Sequence, residues 1–214
     1  MKKDLGHLRK IYEAGSLELS SVGLDPLLFF KKWFDQAQSS KTIAEPNAFS
    51  LSTVSKDDFP KSRIVLLKSY DISGFTFYTN YDSDKGKDIL NNPKVCISFF
   101  WPCLERQIII KGIASKVGED ISDKYFNSRP LGSRLGAMAS NQSRVIKNRI
   151  LLENKLENLK KIYLKESPNR PKNWGGFKIS PISFEFWQGR PNRLHDRIIF
   201  NKVLNKWSVN RLAP

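Results

Sequence analysis

The chain has 214 residues, of which 40% are hydrophobic and 27% charged, a globular balance that excludes wholesale disorder and collagen-like repetition. Its apolar runs are too short to span a bilayer, and no apolar segment follows the basic N-terminus, so the sequence predicts a cytoplasmic protein. Two cysteines and two histidines predict neither a disulfide framework nor a metal site. The formal net charge of +15 favours an anionic partner, namely nucleic acid, an acidic membrane or a phosphorylated small molecule, although a solvated basic surface is the plain alternative.

The chain begins with a polar segment and a first helix. Residues 1–24 are polar and mixed, which predicts an arm or a weak helix. Asp25 followed by Pro26 is typical of a helix cap and the first helical position. Helical spacing of apolar residues predicts an amphipathic helix over residues 26–39, with its stripe formed by Leu27, Phe30, Phe34 and Ala37.

Residues 48–117 change to the two-residue period of strands. Strands are predicted at 48–53, 63–70, 75–79, 94–101 and 105–117. A short helix capped by Ser83 interrupts them and extends to Asn91. Short antiparallel strands with tight turns favour a five-stranded meander forming a small barrel over a doubly wound sheet.

The second half of the chain is first helical and then extended. A helical segment from about residue 119 is ended by Pro130, and a longer helix is predicted near 146–164. The stripe of that longer helix consists of Leu152, Leu156, Leu159 and Tyr163. Strands are predicted near 177–187, 193–200 and 206–212, with turns at 189–192 and 201–205. No linker divides the chain, so we predict a mainly β (α+β) single domain over 25–214, preceded by a flexible arm over 1–24.

Three potential cations occur at alternate positions in the last third of the chain. If residues 193–200 form a strand, Arg193, His195 and Arg197 share one face and repel one another unless an anion lies there. The alternative is a solvent-facing basic edge that prevents aggregation. The nearby Trp174 and Trp187 favour a lined site.

A second candidate site combines a tyrosine, an arginine and a serine. Tyr125 and Arg129 lie four residues apart on one helix face, and Ser133 follows Pro130. These three side chains form a plausible phosphate cradle, while a core-facing tyrosine beside a surface arginine explains the spacing as well.

Other cations and hydrogen-bonding side chains are scattered along the strands. In a straight strand Arg63 and Lys68 point to opposite faces, where they either contact different ligands or form ordinary charged strand ends. Lys85 lies in the first turn of a helix, where backbone amides favour anions. Gln107, Gln142 and Ser143 are uncharged hydrogen-bonding residues. The phosphate-binding, dinucleotide-binding and serine-hydrolase motifs are absent, so these patterns indicate a basic domain for phosphorylated ligands without defining a reaction.

Eight segments, in this order, resemble the pyridoxamine 5′-phosphate oxidase family, whose FMN enzymes make pyridoxal 5′-phosphate. They are Arg63-Ile64-Val65-Leu66-Leu67-Lys68, Phe77-Tyr78-Thr79-Asn80, Leu104-Glu105-Arg106-Gln107, Tyr125-Phe126-x-Ser128-Arg129-Pro130, Trp174-Gly175-Gly176-Phe177, Phe186-Trp187-Gln188-Gly189, Arg193-Leu194-His195-Asp196-Arg197 and Arg211-Leu212-Ala213-Pro214. The resemblance covers nearly the whole chain.

The resemblance implies a split β-barrel homodimer with FMN at the subunit interface, phosphorylated pyridine substrates and dioxygen as partners, and neither nucleic acid nor membrane. Arg63 and Lys85 would hold the flavin phosphate. The full set of implied FMN contacts is Arg63, Ile64, Val65, Leu66, Leu67, Lys68, Tyr78, Thr79, Lys85, Gln107, Gln142, Ser143, Trp187 and Arg197. The implied substrate contacts are Lys68, Tyr125, Arg129 and Ser133 at the phosphate, Arg193 and His195 as the catalytic pair at the pyridine ring, and Arg9 and Tyr12 in a covering arm.

One residue departs from the family pattern. Asp84 stands where the family usually has a second basic residue before the lysine at the flavin phosphate. An acid beside a phosphate is unfavourable by about 1 kcal/mol in water-like surroundings. Lys87, three residues after Asp84, is a cation that would compensate for this acid. Alternatively, Asp84 turns outward and supports the helix N-terminus.

Two other functions compete with the resemblance. A flavin-binding split barrel acting on another substrate needs Arg63 and Lys85 but not Tyr125, Arg129, Ser133 and Arg193. A nucleic-acid-binding protein fits the net charge and would lose affinity steeply with salt.

Overall fold

The computed structural model of the protein describes residues 3–214, and this part of the chain contains five α-helices and nine strands. The helices are α1 (Pro26–Ser39), α2 (Asp84–Asn91), α3 (Glu119–Ser128), α4 (Leu131–Ala139) and α5 (Arg149–Ile162). The strands are β1 (Ala48–Val54), β2 (Pro60–Leu66), β3 (Ser69–Asp71), β4 (Gly74–Asn80), β5 (Lys94–Trp101), β6 (Arg106–Lys116), β7 (Trp174–Gln188), β8 (Asp196–Val203) and β9 (Lys206–Leu212). Short 3-10 turns lie at Leu19–Ser21 and Pro191–Arg193.

The described chain groups into two compact units. The first unit contains the residues up to Ser50, Ile97–Lys111 and Ile182–Pro214, and the second contains Leu51–Cys96 and Gly112–Pro181. The division into an arm over 1–24 and a single domain over 25–214 stays a prediction.

Helix α1 confirms the predicted helix over 26–39. The carboxylate of Asp25 accepts a hydrogen bond from the backbone N of Leu27 at 2.8 Å, which caps the helix as its sequence predicts. Its buried face differs from the predicted stripe, because Leu27 and Phe34 are only half-buried. The apolar side chains that α1 buries are Phe29, Phe30, Trp33 and Ala37. Phe29 lies edge-on to Phe186 of β7 at 4.8 Å, so aromatic packing selects this face.

The sheet confirms most predicted strands but not their order. Strands run in the order β2-β1-β5-β6-β7-β4-β3, with β8 paired to β7 and β9 to β8. The predicted meander is therefore wrong, because β5 lies beside β1 and β4 beside β7. The predicted strand over 63–70 is divided into β2 and β3. The chain leaves its partner β1 after Leu66 and joins β4 from Ser69, so that Leu67 and Lys68 form a connection.

The helices of the second half contain one that the sequence analysis missed. Pro130 follows the end of α3 as predicted, and α5 keeps its predicted stripe on its less exposed face. Helix α4 has glycines at 132 and 136, which lower its helix propensity and hide it from sequence reasoning.

The last two strands correct two predicted boundaries. The predicted strand near 193–200 begins only at Asp196, because Asn192 and Arg193 adopt positive φ angles of 56° and 61°. The predicted turn over 201–205 is shorter, since only Leu204 and Asn205, with φ of 47° and 63°, connect β8 to β9.

Each unit has its own aromatic core. In the first unit the rings of Phe49 and Phe99 pack 5.3 Å apart, and in the second those of Phe77 and Phe177 pack 5.8 Å apart. Gly74 is required where β4 meets β7, because a Cβ at its φ of 144° would lie 2.1 Å from the carbonyl oxygen of Ile179. Within residues 3–214, no helix combines the length and apolar character that crossing a membrane needs.

Candidate active site

A cavity of about 740 Å³ lies in the second unit and collects most of the predicted site residues. This volume is within the range of about 300–1,000 Å³ that small-molecule sites occupy. The predicted residues that line it are Arg63, Ile64, Val65, Leu66, Lys68, Tyr78, Thr79, Lys85, Tyr125, Arg129, Ser133 and Gln142.

One cationic set of the cavity joins β2 to α2. Arg63 donates through Nη1 to Oγ1 of Thr53 at 2.6 Å, and Thr53 donates in turn to Oδ2 of Asp88 at 2.7 Å. Nη2 of Arg63 lies 3.7 Å from the same carboxylate oxygen. Burial lowers the pKa of Arg63, but Asp88 and then Asp84 oppose this effect, so the guanidinium stays charged. Arg63 is therefore fixed by buried neighbours before any ligand binds.

Lys85 is the second cation of this set and is largely buried. The residue is 8% exposed, and no described residue within 3–214 hydrogen-bonds or ion-pairs directly with its ammonium group. Burial and then the charge of Arg63 lower its pKa, although the carboxylates of Asp84 and Asp88 oppose this effect. Asp84 is exposed in the first turn of α2, which agrees with the alternative that it turns outward and supports the helix N-terminus. Two neighbouring cations, one of them without a direct ion pair among residues 3–214, favour an anion at this end of the cavity.

The second cationic set carries the predicted phosphate cradle, and the structure brings Tyr125, Arg129 and Ser133 together in the cavity. The guanidinium carbon of Arg129 lies 4.7 Å from the ring centre of Trp174, and burial lowers the pKa of Arg129. Its Nη1 is buried and has no hydrogen-bond partner within residues 3–214. Because a buried donor without a partner costs free energy, this atom indicates a missing anionic or polar ligand.

Aromatic rings form one wall of the same cavity. Tyr78 stacks on Tyr125 with ring centres 3.8 Å apart and on Trp174 at 5.6 Å. Burial and the neighbouring Tyr125 raise the pKa of Tyr78, so its hydroxyl remains a donor at neutral pH. A flat wall of this kind suits a planar ligand.

Three other predicted residues of the second unit have different environments. Lys68 lines the cavity together with Arg63, although a straight strand would have separated them, because Lys68 lies in the connection after β2. Leu67 is buried in the core at 5% exposure. Ser143 is exposed with a φ of 67°, and its neighbour Gln142 accepts a hydrogen bond from Thr79 at 3.3 Å.

The first unit contains an aromatic cluster formed by Tyr12, Trp187 and His195. The ring centres of Trp187 and His195 are 4.8 Å apart, and Tyr12 lies edge-on to both at 5.7 and 5.5 Å. Nδ1 of His195 accepts a hydrogen bond from the backbone N of Arg190 at 3.1 Å. The proton of the neutral imidazole therefore belongs on Nε2.

The predicted row of Arg193, His195 and Arg197 on one strand face is wrong, because only Arg197 lies in β8. Arg193 is exposed in the preceding 3-10 turn. Arg197 already has a counter-charge, since its Nε donates to Oε1 of Glu185 at 2.8 Å and this bond raises its pKa. The repulsion argument for a bound anion at this row therefore does not hold.

The remaining predicted residues of the first unit are Gln107 and Arg9. Gln107 is half-buried in β6. Arg9 is exposed and donates through Nε to the carbonyl oxygen of Gly6 at 3.1 Å.

Sequence reasoning missed the acidic residues that hold these sites. Asp88 lies three residues after Lys85 on α2, and this helical spacing is a signal that could have found it. Glu105 and Asp196 contact residues of the first 18 positions, 91 and 179 residues away in the sequence, and no local pattern marks such contacts.

Comparisons with known proteins show the family of the chain. The family profile described as pyridoxamine 5′-phosphate oxidase matches residues 36–163, and that of the pyridoxine 5′-phosphate oxidase C-terminal dimerisation region matches residues 174–214. Among relatives, the pyridoxine/pyridoxamine 5′-phosphate oxidase of Christiangramia forsetii is 55% identical over 100% of both chains. The protein of the same name from Flavobacterium psychrophilum is 52% identical over 99% of this chain and 100% of its own.

A solved structure shares the fold of nearly the whole chain. PhzG from Burkholderia lata 383, in complex with tetrahydrophenazine-1-carboxylic acid, superposes with a TM-score of 0.86 at 27% identity, covering 94% of this chain and 100% of its own. The predicted mainly β split-barrel class with flanking helices is confirmed. On the family profiles and these full-length identities, the chain belongs to the pyridoxine/pyridoxamine 5′-phosphate oxidase family.

Proposed function

We propose that the protein is an FMN-dependent oxidase of pyridoxamine 5′-phosphate and pyridoxine 5′-phosphate, with pyridoxal 5′-phosphate as product. The observation that carries this proposal is a single cavity with two cationic sets on different elements. Arg63 and Lys85 belong to β2 and α2, whereas Arg129 lies between α3 and α4. Two such sets fit two phosphates, one on the flavin and one on the substrate.

The residues present fit FMN. Lys85 is largely buried and has no direct ion pair within residues 3–214, and a flavin phosphate would supply one. The stacked rings of Tyr78, Tyr125 and Trp174 provide a flat wall in the same cavity. The proposed contacts from the second unit are Arg63 to Lys68, Tyr78, Thr79, Lys85, Gln142 and Ser143, and those from the first unit are Gln107, Trp187 and Arg197.

When bound, FMN supplies N5 as the acceptor of the hydride from C4′ of the substrate, and dioxygen accepts the electrons to give hydrogen peroxide. Lys68, Tyr125, Arg129 and Ser133 hold the substrate phosphate. Nη1 of Arg129 gains in this way the acceptor that it lacks. Fixing the phosphate orients the rest of a small substrate, which lowers the entropic part of the barrier.

Arg193 and His195 act at the pyridine ring in this proposal. Nδ1 of His195 is occupied by the backbone N of Arg190, so Nε2 is the atom that can donate to the ring substituents. Together with His195, Arg193 orients the pyridine ring and stabilises the charge that develops on it. Arg9 and Tyr12, which belong to the arm, cover the substrate ring. The C-terminal dimerisation match supports a homodimer, and we propose that FMN lies at its interface.

An anaerobic absorbance titration tests the proposal. The FMN-loaded protein receives pyridoxamine 5′-phosphate without oxygen, and we expect the flavin band to bleach and to recover in air with release of hydrogen peroxide. A flavin that binds but stays oxidised would refute this substrate class and favour another split-barrel oxidoreductase. A chain that binds no FMN and binds nucleic acid with a steep salt dependence would refute the oxidase.

A further inference from the structure

The carboxylate of Glu105 is buried, yet the proposed function gives it no role. Its side chain is 5% exposed, and its backbone has a φ of 55°, which a glutamate seldom adopts. Taking a carboxylate out of water costs free energy unless charged or hydrogen-bonding partners compensate. The partners of this side chain therefore indicate what it does.

Within residues 3–214, the side-chain partners of Glu105 lie in the arm. Oε1 lies 2.9 Å from Nζ of Lys10, and Oε2 accepts a hydrogen bond from the backbone N of Ala14 at 2.8 Å. Burial by itself raises the pKa of Glu105, but the hydrogen bonds from Ala14 and Lys10 outweigh it, so the net pKa is lowered. At neutral pH the carboxylate is therefore ionised and holds residues 10–14 by an ion pair and a hydrogen bond.

The main chain of Glu105 is bonded to the end of β7. Its carbonyl oxygen accepts from the backbone N of Gly189 at 2.8 Å and from Nε2 of Gln188 at 3.3 Å. Gly189 also faces the arm, because a Cβ at this position would lie 2.7 Å from Cδ1 of Tyr12. The side chain of Glu105 thus contacts the arm, while its main chain contacts the two residues that follow Trp187.

Further along the arm, other contacts are independent of Glu105. The backbone N of Leu17 donates to Oδ2 of Asp196 at 3.0 Å, and Nη2 of Arg211 donates to the carbonyl oxygen of Leu17 at 3.0 Å. Glu18 pairs with Arg211 at 3.0 Å and is 65% exposed. Loss of the Glu105 contacts therefore frees residues 10–14 while residues 17–18 stay attached.

We propose that Glu105 is a positioning residue that holds residues 10–14 so that Tyr12 stays against His195 and Trp187. The inference rests on the proposed function, since it takes His195 and Tyr12 to act at the substrate ring. Glu105 itself touches neither reacting group. Its loss should weaken substrate binding and leave both the chemical step and FMN affinity unchanged.

The experiment compares Glu105→Ala and Glu105→Gln with a control, Glu18→Gln, in the full-length FMN-loaded protein. Glu18→Gln also removes a carboxylate that pairs with a cation, but one outside residues 10–14. Amide hydrogen exchange of residues 10–17 is measured first, because it needs no activity. We expect roughly tenfold faster exchange at residues 10–14 in Glu105→Ala, a smaller effect in Glu105→Gln and none in the control.

Steady-state kinetics then give the functional part of the test. We expect KM for pyridoxine 5′-phosphate to rise roughly tenfold in Glu105→Ala, equivalent to about 1.4 kcal/mol, with kcat and FMN affinity within about twofold of wild type. Exchange that stays slow would overturn the proposal, as would fast exchange with an unchanged KM. If Glu105→Ala does not fold, Lys10→Met removes the ion pair from the exposed side of the contact, and it should shift exchange and KM in the same direction.

Failure of the proposed function gives a different pattern. A wild-type protein that oxidises neither phosphorylated pyridine refutes the oxidase, whatever the exchange rates are. Binding of pyridoxal 5′-phosphate, measured by absorbance, then replaces KM. Equal affinity in wild type and Glu105→Ala would overturn the role of Glu105, whereas weaker binding in the variant would support it.

Discussion

The cavity of the second unit and the aromatic cluster of the first are held by different kinds of contact. In the cavity, Arg63 is fixed by Thr53 and Asp88, whose side chains are buried within that unit. In the cluster, Tyr12 reaches His195 through an arm that is bonded to Glu105, 91 residues from Ala14. The guanidinium of Arg63 is therefore positioned by the core of its own unit, whereas the position of Tyr12 depends on a few contacts between the arm and Glu105.

We expect the strongest loss of ligand binding from Lys85→Met in the cavity. A hydrogen bond to a charged group contributes about 1.5–3 kcal/mol, so FMN should bind roughly 10- to 100-fold more weakly. Titration of FMN into the apoprotein, followed by flavin fluorescence, measures this change. Lys87→Met is the matched control, because Lys87 lies on the same helix but is exposed. Equal losses in the two variants would mean that FMN responds only to general charge.

The next effect concerns the buried nitrogen of Arg129. Arg129→Met should raise KM for pyridoxine 5′-phosphate roughly 10- to 100-fold through loss of a charge-assisted contact, with FMN affinity unchanged. The free energy of unfolding should change by less than about 1 kcal/mol, because losing the unpartnered Nη1 offsets losing the contact with Trp174. Kinetics and urea unfolding give both values. The control Arg149→Met, on the exposed face of α5, should alter neither KM nor stability. A strongly destabilised Arg129→Met protein would contradict the interpretation that Nη1 has no partner among residues 3–214 of the folded protein before substrate binds.

A smaller effect tests the cluster through a glycine. Gly189→Ala places a Cβ 2.7 Å from the ring of Tyr12, and the ring has to move away from His195. We expect KM to rise a few-fold, with FMN affinity unchanged, since an overpacked contact costs about 1–3 kcal/mol. Gly132→Ala on α4 meets open space and should stabilise the protein by about 0.5–1 kcal/mol. If neither Gly189→Ala nor Gly132→Ala changes KM, the position of Tyr12 does not contribute to substrate binding.

Local sequence patterns predict many elements of the fold and part of the site. The strands β1, β4, β5 and β6 and the helices α1 and α2 follow from apolar periodicity and caps such as Asp25 and Ser83, which are local properties. The cradle of Tyr125, Arg129 and Ser133 follows likewise from helical spacing and from the family resemblance. The exchange of partners after Leu66 is not local, because it depends on whether β1 or β4 is beside the chain.

The first unit was harder for the same reason. The positive φ angles of Asn192 and Arg193 turn the chain where alternating residues predict a strand, and only the folded structure selects them. The buried carboxylate of Glu105 and the half-buried carboxylate of Asp196 accept hydrogen bonds from backbone groups of the arm, and no spacing in the sequence marks a backbone partner. Sequence reasoning therefore found the cations of the site and missed the anions that hold it.

The smallest expected effect is on thermal stability, from the surface carboxylate Asp71, whose hydrogen-bond partners lie with it in the second unit, whereas the arm that Glu105 holds lies in the first. Hydrogen bonds from Ser73 and then Lys178 lower the pKa of Asp71 from 3.8 to about 2. A carboxyl group with a lowered folded-state pKa stabilises the fold above its unfolded value of 3.8 and loses this contribution as the pH falls towards about 2. Asp71→Asn should therefore reduce Tm above this window and make no difference below it. Because the Asp71 side chain is 56% exposed, the stability difference should be less than about 1 kcal/mol.

Thermal unfolding of wild type and Asp71→Asn at a series of pH values measures this stability difference, and hydrogen exchange at residues 10–14 should not change. A variant that loosened the arm would show that the two regions are coupled, and the contrast between Arg63, positioned by the core of its own unit, and Tyr12, positioned through the arm, would not hold.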